Sequence, residues 1–332
     1  MKPDLSVIIP YHNEGLQFIT DTINSVKNTI DVSYEIIVVD DCSKQALGSI
    51  SGNWQDMDME NVTILRHDEN LGVGQAFDTG VAQAKSDNLF LMGSDVRFIP
   101  NQWASKMIKE INDHPKAFTC STCVGMNMES EQGMDLNMRI KRSRRNGATI
   151  LIFHHHITHP KKPSNFRNIL ECQWLPVYKG EDKSSFEVPS ILGAAYGVKK
   201  EWYDYCDGWK LHRSWGTLEP MISLKSWLFG GSCRTAPDIY SGHIFKRAGT
   251  HGTPNHHLIY NKLLVATLLF NDYDAKRLID FLGSTPQVEQ GKRMFKENRK
   301  AIMKKRKEYE KKITYDIRDY VKRFSIDFRD NS

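Results

Sequence analysis

Acidic side chains follow two predicted strands at the points where the strands end. Asp40 and Asp41 come directly after the strand-like run 35–39, and Asp95 lies just beyond the apolar run 88–92. Short runs of this kind are typical of buried parallel strands. Because ligands of parallel sheets bind beyond the carboxyl ends of the strands, all three carboxylates are placed to meet one. They could contact a nucleotide or hold a divalent cation on its phosphates, although Asp40 and Asp41 could instead cap the next element.

Glu219 and His243 are two further side chains with chemical potential. Glu219 closes the segment Trp-Gly-Thr-Leu-Glu, and His243 lies in the segment Gly-His-Ile-Phe-Lys that ends at Lys246. A carboxylate and an imidazole are both ligands of divalent cations, but a lone histidine such as His243 is more often a core or surface residue. Glu219 could be an ordinary carboxylate in a first helical turn, where the helix dipole favours it.

Strands and helices alternate along the first third of the chain. Strands are predicted at 5–10, 35–39, 62–66 and 88–92, and helices at 13–29, 72–85 and 98–114. This alternation predicts an α/β fold with a mostly parallel central sheet. The segment 118–189 is irregular, and 190–198 is a small-residue strand or turn. Helices are predicted at 220–229, at 255–282 with a break near Asn271, and along 287–323.

Composition favours a globular protein outside the membrane. The chain has 332 residues, and no run approaches the 18 or so apolar residues that a membrane-spanning helix needs. The first residues lack the apolar core of a signal peptide, so we expect a cytoplasmic location. Six cysteines do not indicate a disulfide scaffold. Cys120-Ser-Thr-Cys123 has metal-site spacing, but no second pair completes it, and we expect reduced thiols.

Positive charge is concentrated near the carboxyl end. Residues 292–323 contain fourteen Lys or Arg and five Asp or Glu, although the whole chain has a formal charge of only +5. A net acidic body therefore carries a basic tail, which is predicted to be helical. The tail could dock on an anionic membrane surface, contact nucleic acid, or simply be a solvated helix face.

Six segments resemble the GT-A glycosyltransferases, specifically family 2 and the polypeptide GalNAc-transferases. The resemblance covers roughly residues 2–246 and is carried by segments 7–14, 38–43, 89–95, 190–198, 215–231 and 242–246. It implies a GT-A (nucleotide-diphospho-sugar transferase) fold with a helical carboxyl-terminal tail. Residues 1–100 would form a nucleotide-sugar-binding subdomain and residues 101–250 the acceptor and metal side of the same domain. Residues 251–332 would form the helical basic region.

The resemblance also implies a reaction and a set of site residues. The enzyme (EC 2.4) would move a hexose or pentose from a nucleotide donor, expected to be a UDP-sugar, to a hydroxyl with the help of a metal ion. Asp95, His243 and diphosphate oxygens would complete the shell of a Mn²⁺ (or Mg²⁺) ion, and Glu219 and Asp95 would be catalytic. Glu219 would orient or deprotonate the acceptor hydroxyl. Lys246 would add positive charge, without the two-pronged geometry of an arginine. Donor contacts would come from Pro10, Tyr11, His12, Glu14, Asp40, Asp41, Gln75, Ser94 and Lys246.

Four positions depart from the pattern of these families. Gly93 stands where they carry the first aspartate of an Asp-x-Asp or Asp-x-His metal motif, and Glu219 is displaced by one position. Gln75 and Lys246 stand where the GalNAc-transferases have arginines. The stereochemical course therefore stays open between inversion, usual in family 2, and retention, usual in the GalNAc-transferases.

The acceptor stays open as well. A glycan, a lipid-linked glycan and a hydroxymethylated DNA base are all compatible with the sequence, and the last two would give the basic tail a membrane or nucleic-acid partner. The missing aspartate at Gly93 supports one alternative, a catalytically inactive sugar-nucleotide-binding module. A nucleotidyltransferase is disfavoured because residues 10–14 lack the Gly-rich loop with Arg and Lys that such enzymes usually carry.

Overall fold

The protein is built around one large mixed β-sheet. The computed structural model describes residues 2–47, 58–126, 144–152, 169–176, 184–244, 253–326 and 328. The strands are β1 (Leu5–Tyr11), β2 (Tyr34–Asp40), β3 (Val62–Arg66), β4 (Asn88–Met92), β5 (Val96–Phe98), β6 (Ala117–Met126), β7 (Arg144–Leu151), β8 (Glu171–Pro176), β9 (Phe186–Glu187), β10 (Ala195–Lys199) and β11 (Ser232–Ile244).

Helices occupy the connections and the carboxyl-terminal region. They are α1 (Leu16–Thr29), α2 (Val73–Gln83), α3 (Trp103–Asp113), α4 (Lys200–Cys206), α5 (Leu218–Leu228), α6 (Asn255–Leu269), α7 (Asp272–Phe281), α8 (Pro286–Glu297), α9 (Arg299–Glu310) and α10 (Ile317–Arg323). Among the described residues no helix is both long and apolar enough to cross a membrane.

The strand order is β3-β2-β1-β4-β10-β6-β11-β5. The first four strands of this order are parallel, as the sequence predicts. The α/β class is therefore confirmed. The sheet as a whole is mixed, because β10 lies antiparallel between β4 and β6 and because β5, β7, β8 and β9 add further antiparallel pairs. Strands β6 to β9 fall in the segment that the sequence left irregular.

The strands β1, β2 and β4 of the parallel half are buried because they are mainly apolar, whereas β3 at the side of the sheet is partly exposed. Every residue of β1 is buried, and so is all of β2 except its first residue. Helix α2 covers these strands closely: a Cβ added to Gly80 would lie 2.4 Å from a methyl carbon of Ile8. Glycine at this position therefore lets the helix approach the sheet.

The carboxyl-terminal helices are part of the same core. The predicted break near Asn271 is confirmed, since the Asn271 side chain accepts a hydrogen bond from the Asp274 N–H and starts α7. Ile302 of α9 and Ile317 of α10 are fully buried with the residues of the main core. These two side chains of the basic tail are therefore packed inside the protein and cannot contact a bilayer.

Asp40 closes β2 with a fully buried carboxylate. It accepts hydrogen bonds from the backbone N–H groups of Ser43 (2.9 Å) and Leu47 (3.2 Å) and from the guanidinium of Arg66. Burial by itself raises the pKa of Asp40, but the hydrogen bonds from Ser43, Leu47 and Arg66 outweigh it and leave the pKa lowered. The ionised carboxylate thus holds the loop after β2 in place.

Replacing Asp40 with Asn should reduce the free energy of unfolding by about 2–3 kcal/mol at neutral pH, since one acceptor becomes a donor facing other donors. Because the folded-state pKa is lowered, the contribution of Asp40 is lost as the pH falls through that pKa. Urea unfolding at pH 7 and pH 3 should therefore show a deficit that shrinks in acid. Asp58→Asn, at the exposed partner of Lys27, is the control and should change little. Equal stability of Asp40→Asn and wild type at pH 7 would contradict this role.

Candidate active site

The structure brings Asp95 and His243 together at the carboxyl edge of the parallel strands. Asp95 lies in the turn between β4 and β5, and His243 lies one residue from the end of β11, opposite Val96. The Ile244 N–H donates to the Asp95 carbonyl at 3.0 Å, which fixes the strand beside the turn. As a result Asp95 Oδ1 and His243 Nε2 lie 3.6 Å apart, and both side chains remain partly exposed.

This pair fits two positions of a divalent-cation site. Two ligands at a right angle, each about 2.1 Å from one ion, lie about 3 Å apart, so a small side-chain rotation would suffice. One carboxylate with one imidazole suits a transition-metal ion that keeps positions open for substrate oxygens. Within the described part of the chain no third His, Cys, Asp or Glu completes the set.

With Asp95 in its present position, there is no space for a second aspartate at Gly93. A Cβ added to Gly93 would lie 2.7 Å from Asp95 Oδ1. The Asp95 carboxylate therefore occupies the space into which a side chain at position 93 would project. An aspartate at position 93 would require Asp95 to rotate away from this position.

Glu219 lies in the first turn of α5, and its carboxylate packs against the backbone of Gly193. A Cβ added to Gly193 would lie only 1.8 Å from Glu219 Oε1, so the carboxylate fills the space of the missing side chain. Burial raises the pKa of Glu219, and the nearby charge of Glu171 raises it further, against one lowering backbone hydrogen bond. A carboxylate with a raised pKa is better suited to proton transfer than an ordinary one.

The loop before α5 is conformationally strained and firmly held. Positive φ angles occur at Asp207, Gly208, Leu211, Ser214, Gly216 and Thr217. Such strain persists only where the surroundings fix the backbone, and it clusters at functional sites. Trp215, at the tip of this loop, has 53% of its surface exposed.

Asn261 of α6 holds the loop and was not found from the sequence. It is fully buried; its Oδ1 accepts from the Arg213 N–H (3.0 Å), and its Nδ2 donates to the carbonyls of Arg213 (2.8 Å) and Gly216 (3.1 Å). His212 Nε2 also bonds to the Gly216 carbonyl at 2.8 Å. The signal that could have pointed to it is the polar pair Asn261-Lys262 inside the apolar run 258–269 of this helix.

Asp41 holds the loop before α2 by hydrogen bonds, as Asp40 holds the loop after β2. It accepts from the N–H groups of Leu71 (2.8 Å) and Gly72 (2.7 Å), and its Oδ1 lies 2.7 Å from His67 Nδ1. Both aspartates therefore act on loop backbones, as the capping alternative states. Because the Asp40 side chain has no exposed surface, the expected contact of Asp40 with a donor would have to be indirect. A donor contact by Asp41 stays a prediction.

The other predicted donor residues lie around the same edge. Pro10 and Tyr11 end the buried strand β1, and Ser94 is buried next to Asp95. His12 Nδ1 donates to the Asp41 carbonyl at 2.7 Å, and Gln75 Nε2 donates to the Trp209 carbonyl at 2.7 Å.

Glu14 is partly exposed just after β1, and Lys246 lies outside the described residues. For all of these residues contact with a donor stays a prediction.

Comparison with known proteins identifies relatives of known chemistry. The family model for glycosyl transferase family 2 matches residues 6–172. Polypeptide N-acetylgalactosaminyltransferase 11 of Xenopus tropicalis is 23% identical over 290 residues, which cover 82% of this chain and 44% of the relative. Polypeptide N-acetylgalactosaminyltransferase 8 of Drosophila melanogaster is 25% identical over 252 residues, covering 74% of this chain and 38% of the relative. The chain thus spans less than half the length of these curated relatives.

Two solved structures share the fold. GalNAc-T7, crystallised with UDP, GalNAc and Mn²⁺, superposes with a TM-score of 0.69 at 17% identity, covering 97% of this chain and 56% of that one. TarS of S. aureus (residues 1–349), in complex with UDP-GlcNAc, gives a TM-score of 0.51 at 16% identity, covering 84% of this chain and 70% of that one. The expected GT-A fold with carboxyl-terminal helices is therefore confirmed.

Replacing Glu219 with Gln should stabilise the protein at alkaline pH. A carboxyl group whose pKa is raised by folding contributes stability below its unfolded pKa of about 4.3, and this contribution is lost as the pH rises through the folded pKa. The amide mimics the protonated form, so Glu219→Gln and wild type should unfold alike at pH 4. At pH 8 the variant should be the more stable of the two.

Chemical denaturation at both pH values measures this difference. Glu201→Gln, which changes an exposed carboxylate in the first turn of α4, is the matched control and should show no such gain. A variant of Glu219 that loses stability at pH 8 would contradict the burial argument.

Proposed function

The chain belongs to glycosyl transferase family 2, and on that basis we propose that it moves a hexose or pentose from a UDP-sugar to an acceptor hydroxyl with the help of a divalent cation. The observation that carries the proposal is the approach of Asp95 Oδ1 to His243 Nε2, 3.6 Å apart at the ligand edge of the sheet. The structures of GalNAc-T7 with UDP, GalNAc and Mn²⁺ and of TarS with UDP-GlcNAc support this donor class and metal.

In this proposal Asp95 and His243 hold a Mn²⁺ (or Mg²⁺) ion against the donor diphosphate. The bound cation would supply charge that stabilises the diphosphate leaving group. Lys246 would add a second positive charge. With only one aspartate in the site, substrate oxygens and water would provide the remaining ligands, so the metal would bind more tightly with the nucleotide than alone.

Glu219 and Trp215 belong to the acceptor side of the proposed site. Glu219 would accept a hydrogen bond from the acceptor hydroxyl and, if the reaction inverts, take its proton. Its raised pKa would make it a stronger base than an ordinary carboxylate. If the reaction retains configuration, Glu219 would only orient the hydroxyl. Trp215, with its exposed ring, would offer an apolar face to a sugar.

The donor would lie across the ends of β1, β2 and β4, which are adjacent and parallel. His12, Glu14, Asp41, Gln75 and Ser94 would surround it there, on the residues that the family resemblance selects. The acceptor would be a glycan, a lipid-linked glycan or a hydroxymethylated base in DNA. The alternative is an inactive nucleotide-sugar-binding module, which Gly93 favours by removing one carboxylate from the metal site.

Titration calorimetry with UDP, with and without Mn²⁺, tests the metal site. Wild type should bind UDP at least about 10-fold more tightly with Mn²⁺, and Asp95→Asn and His243→Ala should each lose most of that gain because a direct ligand is removed. His114→Ala changes a surface imidazole paired with Glu110 and is the control. UDP affinity that is independent of Mn²⁺, or unaltered in both site variants, would contradict the proposal. Metal-dependent UDP binding without sugar transfer or donor hydrolysis would establish the inactive alternative.

Gly193→Ala should impair turnover through Glu219. The new methyl group would overlap the present position of Oε1, and the carboxylate would have to turn away. We therefore expect Gly193→Ala and Glu219→Gln to lower kcat for donor turnover to a similar extent, by roughly 10-fold or more, and the double variant to be no worse than either single one. Donor hydrolysis measured for all three variants provides the comparison. Additive losses would show that Gly193 acts independently of Glu219.

A further inference from the structure

Helices α8 and α9, together with Lys311 directly after α9, carry six exposed cations on one face. They are separated by three or four residues, the spacing that aligns side chains along a helix, and are Arg293, Lys296, Lys300, Lys304, Lys307 and Lys311, called here the basic row. The helical period continues across the junction of α8 and α9. The Asn298 N–H donates to the Met294 carbonyl at 3.2 Å, and the Ile302 N–H donates to the Asn298 carbonyl at 3.1 Å.

The cations of the basic row form no close ion pairs, although the exposed carboxylates of Glu297 and Glu308 lie one helical turn from Arg293 and Lys304. In the described ranges no carboxylate lies within 4 Å of any of its six cations. Other cations of the same helices are paired: Lys292 with Glu289, Lys305 with Asp207 and Glu308, and Arg306 with Asp272 and Glu310. The acids of this region thus form their close ion pairs with cations beside the row, and the row, with six cations against Glu297 and Glu308, keeps a net positive charge.

The opposite face of α8 and α9 is packed against the rest of the protein, so the basic row faces solvent. Val288, Gly291, Ile302 and Tyr309 are buried on that face. A Cβ added to Gly291 would lie 2.6 Å from a methyl carbon of Ile259 in α6, so the helix is packed closely on its neighbour. The apolar side is therefore unavailable for insertion into a bilayer, and the exposed large hydrophobic residues in the described ranges lie elsewhere.

We propose that the basic row binds the phosphate backbone of nucleic acid, which rests on the proposed function and selects DNA among its acceptor classes. From residue 293 to residue 311 the row extends for about 27 Å at 1.5 Å per residue, with a cation about every 5 Å. An extended row of point charges matches a polymer with regularly repeated phosphates. It needs no apolar anchor, unlike the attachment of an interfacial helix to a membrane.

The row is rigidly connected to the acceptor side of the site. Tyr309 donates a hydrogen bond from its hydroxyl to Asp207 Oδ2 at 2.9 Å, and Lys305 Nζ lies 2.9 Å from the same oxygen. Asp207 begins the strained loop that leads through Trp215 to Glu219. A strand held on the row would therefore be bound to the same rigid unit as the catalytic carboxylate.

Binding of a fluorescent 30-base-pair DNA duplex, followed by anisotropy over a range of salt concentrations, tests the proposal. The triple variant Lys300→Gln/Lys304→Gln/Lys307→Gln should bind at least about 10-fold more weakly than wild type at low salt. The slope of log K against log[salt] should fall in magnitude by about 2–3, as expected when three phosphate contacts are removed. The control Lys85→Gln/Lys109→Gln/Lys276→Gln removes the same charge from scattered exposed positions and should stay within about 2-fold of wild type.

Three results would overturn the inference. They are equal losses in the row and control variants, no DNA binding by wild type, and binding by wild type only to vesicles of phosphatidylcholine with 30% phosphatidylserine. Metal-dependent UDP binding, measured on the same samples, separates this inference from the proposed function. Intact UDP binding with row-independent DNA binding rejects the row alone. Row-dependent DNA binding without UDP binding supports the row and rejects the donor site.

Discussion

Two buried carboxylates, Asp40 and Asp41 at the end of β2, hold the loops that follow the parallel strands. Asp40 gathers the loop after β2 and the end of β3 through Ser43, Leu47 and Arg66, and Asp41 gathers the loop before α2 through Leu71 and Gly72. Backbone N–H groups at the edge of a parallel sheet have no strand partner, and burying them without acceptors would be costly. The two carboxylates accept hydrogen bonds from these N–H groups and so remove that cost. They thereby fix the conformation of the loops around the proposed donor site.

The sequence predicted the parallel half of the sheet well because its strands are short, mainly apolar runs. β3 and β4 have the predicted bounds, β1 extends one residue further at its end, and β2 extends one residue further at each end. Most of the other half was not foreseen, because its pattern is mixed; β10 alone overlaps a segment, 190–198, for which a strand or turn was predicted. β11 contains Pro237 and a register shift between Ala236 and Tyr240, which interrupt the alternation that would mark a strand.

The site shows the same division between local and distant information. Asp95 and Glu219 stand out in the sequence because each follows a recognisable segment, but the proximity of Asp95 to His243 depends on the pairing of β11 with β5 and could be anticipated only through family resemblance. The raised pKa of Glu219 and the three hydrogen bonds of Asn261 depend on tertiary packing. Likewise, composition identified a basic tail, whereas the separation of paired cations from the basic row required the positions of the neighbouring acids.

Gly72 lies where the loop before α2 meets the loop before α5, and there is no space for a side chain at this position. Its N–H is held by Asp41, and a Cβ at this position would lie 2.4 Å from the backbone nitrogen of Ser214 in the loop that carries Trp215. The loop before α2, on the proposed donor side, and the loop before α5, on the proposed acceptor side, therefore lie in contact through their backbones. A change in one loop that altered sugar choice would displace the other, so donor and acceptor preferences are expected to diversify together among descendants of this chain. Engineering a new specificity would accordingly require exchanging both loops as one unit.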